Sequence, residues 1–195
     1  MSYEDRREQP GGGYGEEGRY EGERMQHRIP HDDSNEEDFH QRAAEHASRN
    51  AGGSGGADFF SGILGNFMGN KSQLASQDVN EEEAVAHHKK YFGGEDDGSE
   101  ADAPSMGNAA AMQAMKMFTG GGSSSGSGST QSEFIGLAMS EASKLFEQQS
   151  SAGKVSSGAS KESAVQQAGE MALKMYMKSQ AQSSGGLMGL AAKFM

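Results

Sequence analysis

Apolar side chains recur along this chain in short blocks at helical spacing, and the blocks are separated by runs of glycine, serine and acidic residues. The block most nearly apolar on every side is Ala109-Ala110-Ala111-Met112-Gln113-Ala114-Met115-Lys116-Met117-Phe118, closed by Thr119-Gly120-Gly121. Ala and Met are strong helix formers and Pro104 suits a first helical turn, so the pattern predicts a central helix. A similar composition returns at Met171-Ala172-Leu173-Lys174-Met175-Tyr176-Met177-Lys178. With Ala164, Val165 and Ala168 it forms the inner stripe of a second long helix starting near Ser160, in which Gly169 marks a close contact.

The remaining elements follow from caps and stripes. Ser34 with Glu37 is a capping box that opens a helix reaching Asn50 or Ala51. Its apolar positions Phe39, Ala43 and Ala47 make only a thin stripe, so it is expected to be peripheral or loosely docked. Asp58 is the expected cap of a helix carrying Phe59, Phe60, Ile63, Leu64, Phe67 and Met68, with Gly62 and Gly65 admitting a neighbouring helix. Asn80 and Glu83 cap a further helix whose face is Ala84, Val85, His88, Tyr91 and Phe92. Glu81, Glu82 and Glu83 at its start and Lys89 and Lys90 at its end complement the helix dipole. Thr130-Gln131-Ser132-Glu133 opens a helix with Phe134, Ile135, Ala138, Ala142, Leu145 and Phe146 on one side, and Leu187, Leu190, Ala191 and Phe194 align in a last short one.

Composition supports an all-α fold, since Val, Ile and Thr together number nine and Trp is absent, too few strand formers for a sheet. The expected architecture is a helical bundle of five or six helices with Gly/Ser-rich linkers. Residues 1–35 mix Gly, Glu, Arg and Tyr with almost no aliphatic side chains and read as a disordered acidic tail. Residues 36–56 read as the peripheral helix and a Gly-rich linker, and 57–195 as the α-helical domain.

Charge divides the chain. Residues 1–105 carry 10 Lys+Arg against 23 Asp+Glu, a net of -13; residues 106–195 carry 7 against 5, a net of +2; together they give -11. An acidic front half repels a phosphate backbone, so no nucleic-acid partner is expected. There is no cysteine, hence no disulfide and no thiolate. The charged, glycine-rich N-terminus lacks the apolar core of a signal peptide, and no apolar run approaches the roughly 20 residues needed to span a bilayer. The expected location is cytoplasmic, with no transmembrane segment.

Several segments together resemble a known group: Tyr91-Phe92-Gly93-Gly94, Met112 through Gly121, Phe134-Ile135-Gly136-Leu137-Ala138-Met139, Ala172 through Ser179, and the ending Gly185 through Met195. In order and content they are similar to the small fungal proteins labelled beta-flanking proteins, from about Phe59 to Met195. The resemblance implies a fungal, intracellular origin. It brings no activity, cofactor or catalytic residue with it.

Candidate chemistry is sparse. Ser124-Ser125-Gly126-Ser127-Gly128 is the nearest text to a nucleophile elbow, but it lies in a Gly/Ser linker with no strand before it. No glycine run continues into Gly-Lys-Ser/Thr, and the stretch from Asp78 lacks the glycine and the twelfth-position acid of a calcium loop. His87 and His88 are adjacent and diverge by about 100°, and His40 with His46 misses the three- or four-residue step of a helical zinc pair. His88 falls on the apolar face and is expected to be a hydrogen-bonded core histidine, its pKa lowered by burial. No catalytic, cofactor or metal site is assigned.

Thirteen methionines are the least ordinary feature. Met112, Met115, Met117, Met171, Met175 and Met177 are candidates for an apolar groove, against the plainer reading that they fill the core and a minor one that Met pairs hold Cu(I). The leading expectation for function is a non-enzymatic acidic helical protein acting through a protein partner, through homo-oligomerisation, or in stress tolerance. The alternative is a helical carrier of a lipid or other apolar ligand.

Overall fold

The computed structural model describes residues 33–95, 98–120 and 131–181. The N-terminal tail, the Gly/Ser linker with Thr130, and the C-terminal block of Leu187, Leu190 and Phe194 lie outside the described residues. Seven helices are present among the described residues: α1 (Asp33–Asn50), α2 (Ala57–Met68), α3 (Lys71–Ala75), α4 (Glu81–Phe92), α5 (Ala103–Gly120), α6 (Gln131–Ser151) and α7 (Lys161–Ala181). The chain is an all-α bundle. Its extended pairing among the described residues is an isolated parallel bridge between Ala101 and Val155, which ties the entry of α5 to the α6–α7 connection.

The bundle is built around α5, which packs against α4, α6 and α7. Asp102 caps it, its Oδ1 accepting the Ser105 N–H at 2.7 Å, and Pro104 follows in the first turn. Ten of its residues are buried, from Ala103 through Met115, so this alanine-rich helix is enclosed on several sides. Small side chains make that enclosure possible, because the distance between packed helix axes is set by what stands at the contact. Gly107 lies against Gln167 and Ala168 of α7 so closely that an added Cβ would sit 2.9 Å from the Ala168 backbone nitrogen.

Of the caps read from the sequence, the one at Asn80 is present, whereas Ser34 lies inside α1, which begins at Asp33. The Asn80 Oδ1 accepts the Glu83 N–H at 3.2 Å, and the Asn80 amide donates to the Glu83 carboxylate at 2.9 Å. Ser160 and Ser163 exchange backbone-to-hydroxyl bonds of 2.9 and 3.1 Å at the start of α7, a reciprocal cap made with serine in place of the usual Glu. At α2 the residue before the helix is Gly56 and makes no side-chain cap, so Asp58 lies inside the first turn, where it complements the dipole instead.

Three further departures have physical reasons. The helix expected to be loosely docked, α1, buries Ala43, Ala44 and Ala47 in the main core, and Ala51 just after it is buried there too. Its stripe is thin because it is small, and small residues allow close approach: an added Cβ on Gly136 of α6 would stand 2.5 Å from the Ala43 carbonyl oxygen. The Gly-rich connection after α1 is pinned rather than loose, with Gly52 and Gly53 turning the chain at positive φ and the buried Ser143 hydroxyl donating to the Ser54 carbonyl at 2.7 Å. Gly62 and Gly65 face open space, whereas Gly169 does mark a close contact, where an added Cβ would stand 2.8 Å from Phe67 Cε1.

Candidate functional site

Of the six methionines proposed for a groove, Met112, Met115, Met171 and Met175 are buried in the main core with Phe60, Phe67 and Phe134. Met177 is partly buried against that core, and Met117 is 38% exposed. Helix geometry explains the division. Met112 and Met115 are three residues apart and Met171 and Met175 four apart, so each pair shares a face, while positions two residues further on diverge. Four of the six therefore fill space between helices.

The seam between α4 and α5 encloses two buried polar side chains, His88 and Ser105. His88 is 5% exposed. Its Nε2 meets Gln113 Oε1 at 2.9 Å, and its ring stacks on Phe92 at 5.3 Å between centroids. Burial lowers the His88 pKa below its ordinary value of 6.5, the Gln113 contact opposes that, and nearby Lys116 adds to it. His87, one residue back, turns to Asn108, its Nδ1 at 3.5 Å from the amide nitrogen. The two imidazoles thus serve separate contacts, as their angular separation requires.

At the open end of this seam Tyr91, Asp102 and Ser105 come together. The Ser105 hydroxyl donates to the Asp102 carbonyl at 3.1 Å and pairs with the Tyr91 hydroxyl at 2.8 Å. Burial raises the Asp102 pKa, but the hydrogen bonds from Ser105, aided by His87 and Lys90, outweigh it and the net shift is downward. A serine, a histidine and an aspartate occur in this region, yet the hydroxyl is committed to the backbone and the carboxylate to the helix cap. The arrangement closes a helix; it does not activate a nucleophile. Among the described residues no group of three or more His, Asp or Glu side chains is placed to hold a metal ion, and no helix is long and apolar enough to cross a membrane.

Two of the surface clefts are lined by described residues. One, of about 460 Å³, lies between α1 and α2 and is lined by Glu37, His40, Gln41, Ala44, Glu45, Ala57, Asp58 and Ser61. The other, of about 230 Å³, lies where α2, α3 and α7 meet, with Asn66, Asn70, Gln73 and Gln77 on one side, Gln166 and Glu170 on the other, and Phe67 and Leu74 also lining it. Neither contains any of the six candidate methionines. The carboxamides escaped the sequence reading because the stretch around Lys71 lacks a clear apolar period and reads as a polar connection. The legible signal was their own spacing, four, three and four residues, which places a row along a helical surface.

The family described as a domain of unknown function (DUF7721) matches residues 38–123, from α1 to just past the end of α5. No curated protein and no solved structure matches the chain.

Proposed function

We propose that the chain is a non-enzymatic, acidic, cytoplasmic helical protein that works by binding a protein partner or a second copy of itself, either in a complex or in stress tolerance. A kinship with the small fungal beta-flanking proteins belongs to the same reading. The observation that carries it is the closure of the core: Met112, Met115, Met171 and Met175 are spent on packing, and helix crossings at Gly107, Gly136 and Gly169 bring backbone or ring atoms within about 3 Å of where a Cβ would stand. A protein whose apolar residues are consumed internally acts through its surface. The carrier reading requires those methionines to face a ligand.

Native mass spectrometry of the chain purified from its own cells tests the proposal. The expected result is a stoichiometric protein complex or a homo-oligomer. A monomer carrying a small apolar ligand, or a strict monomer with nothing bound, overturns it.

A further inference from the structure

The second cleft has a chemistry of its own. Asn66, Asn70, Gln73 and Gln77 form a row from the last turn of α2 through α3 and just beyond. None of these four carboxamides has a hydrogen-bond partner among the described residues. Each offers a donor and an acceptor side by side, and none is charged. Such a pair matches the N–H and C=O of a residue in an extended chain, and a row of them matches a ligand that repeats that pair along a line, which a peptide main chain does. A neutral sugar would also satisfy carboxamides, but it prefers an aromatic face to stack on, and Phe67 is only 1% exposed, its ring edge packed against Gly169.

The facing wall supplies the one charge. Gln166 Nε2 donates to Glu170 Oε1 at 2.8 Å, a bond along α7 that restrains the carboxylate where it lines the cleft. At about 230 Å³ the space is below the roughly 300–1,000 Å³ of sites that enclose drug-sized ligands, which suits a short stretch of chain laid across it.

We propose that the α2–α3–α7 cleft binds an extended segment of a partner protein, its main chain bonded to the carboxamides of Asn66, Asn70, Gln73 and Gln77 and a basic side chain set against Glu170. This rests on the interaction reading above and names the site and the chemistry of the partner.

The test is selection of an unconstrained phage-displayed peptide library on the full-length protein, followed by affinity measurement on two variants, N70A/Q73A/Q77A and E170Q. The substituted carboxamides are exposed, so a thermal melt matching wild type confirms that the fold is retained. The enriched peptides are expected to carry Lys or Arg, to lose roughly tenfold or more in affinity on the triple variant, and to lose their preference for a basic residue on E170Q. Peptides that bind wild type and triple variant equally, or a library that returns no peptide selective for wild type, overturn the proposal. So does perturbation of the side-chain amide NMR signals by maltotriose but not by a selected peptide. A partner found by native mass spectrometry that binds the triple variant undiminished removes this cleft as the site and leaves the interaction reading standing.

Discussion

Glycine takes opposite roles in this protein according to what stands over it, and substitution to alanine separates them. A Cβ on Gly107 would lie 2.5 Å from Gln167 Cβ and 2.9 Å from the Ala168 nitrogen, so the α5–α7 contact must spread to admit it. G107A is expected to destabilise the fold by about 1–3 kcal/mol. Gly62 sits in the middle of α2 facing open space, and there alanine removes backbone entropy from the unfolded chain without meeting anything. G62A is expected to stabilise by about 0.5–1 kcal/mol. Urea titration of both variants reads the two signs directly. His88 makes a second residue-scale prediction, this one about pH. Because burial lowers its pKa in the folded state, the unfolded chain binds more protons between that lowered value and 6.5. Its contribution to stability is therefore whole above 6.5 and declines as pH falls through that window. Asp102, also shifted downward, acts separately, its contribution declining only as pH falls below its ordinary 3.8. Stability of wild type is expected to drop from about pH 7 to pH 5 more steeply than that of H88Q; parallel curves would remove His88 as the source.

The helices themselves divide into those that pattern announces and those that only packing explains. The Asn80 cap, the Ser160 start and the stripe on α7 were all visible, because capping and a 3.6-residue period are local properties. The stripe under-counts burial, however: α6 buries Gly136, Met139, Ser140 and Glu141 besides its expected face, since it is covered on more than one side. The docking of α1 was not legible for a related reason. Alanine contributes little to a hydrophobic pattern, and only the facing Gly136 reveals how closely the face of Ala43 and Ala47 is packed. Whether methionine lines a groove or fills a core is likewise undecided by its spacing, because both uses place it on an apolar face. The two exposures on α5 make this an experiment. M112A, in the sealed interior, is expected to cost about 2–5 kcal/mol. M117A, at the edge, is expected to stay within about 0.5 kcal/mol of wild type. Equal effects, measured by denaturant unfolding, would place both side chains in the same environment.

At the scale of the molecule, the family match and the packing do not share a boundary. The match to residues 38–123 takes in α1 from Asp38 and all of α2–α5, and stops before α6 and α7. Yet α5, the helix with the most buried alanine, packs against α6 and α7 as well as α4. The main core joins Ala110, Met112 and Met115 to Phe134, Met139, Ala172 and Met175. A second cluster joins Met106 and Ala109 to Leu145 and Ala164. Removing α6 and α7 would bare two of the three packed sides of α5 and the Ala43–Ala47 face of α1, while the α4 contact and the short α2 and α3 remained. Burial of apolar surface is what offsets the entropy of ordering a chain, and a fragment keeping one face of its central helix lacks enough of it. A peptide spanning residues 38–123 is therefore expected to unfold without a cooperative transition by circular dichroism in urea. Mixing it with a peptide spanning 124–195 is expected to restore one, with a midpoint that rises with concentration. A cooperative transition from the first peptide alone would show that α1–α5 is a folding unit and that α6 and α7 are additions to it.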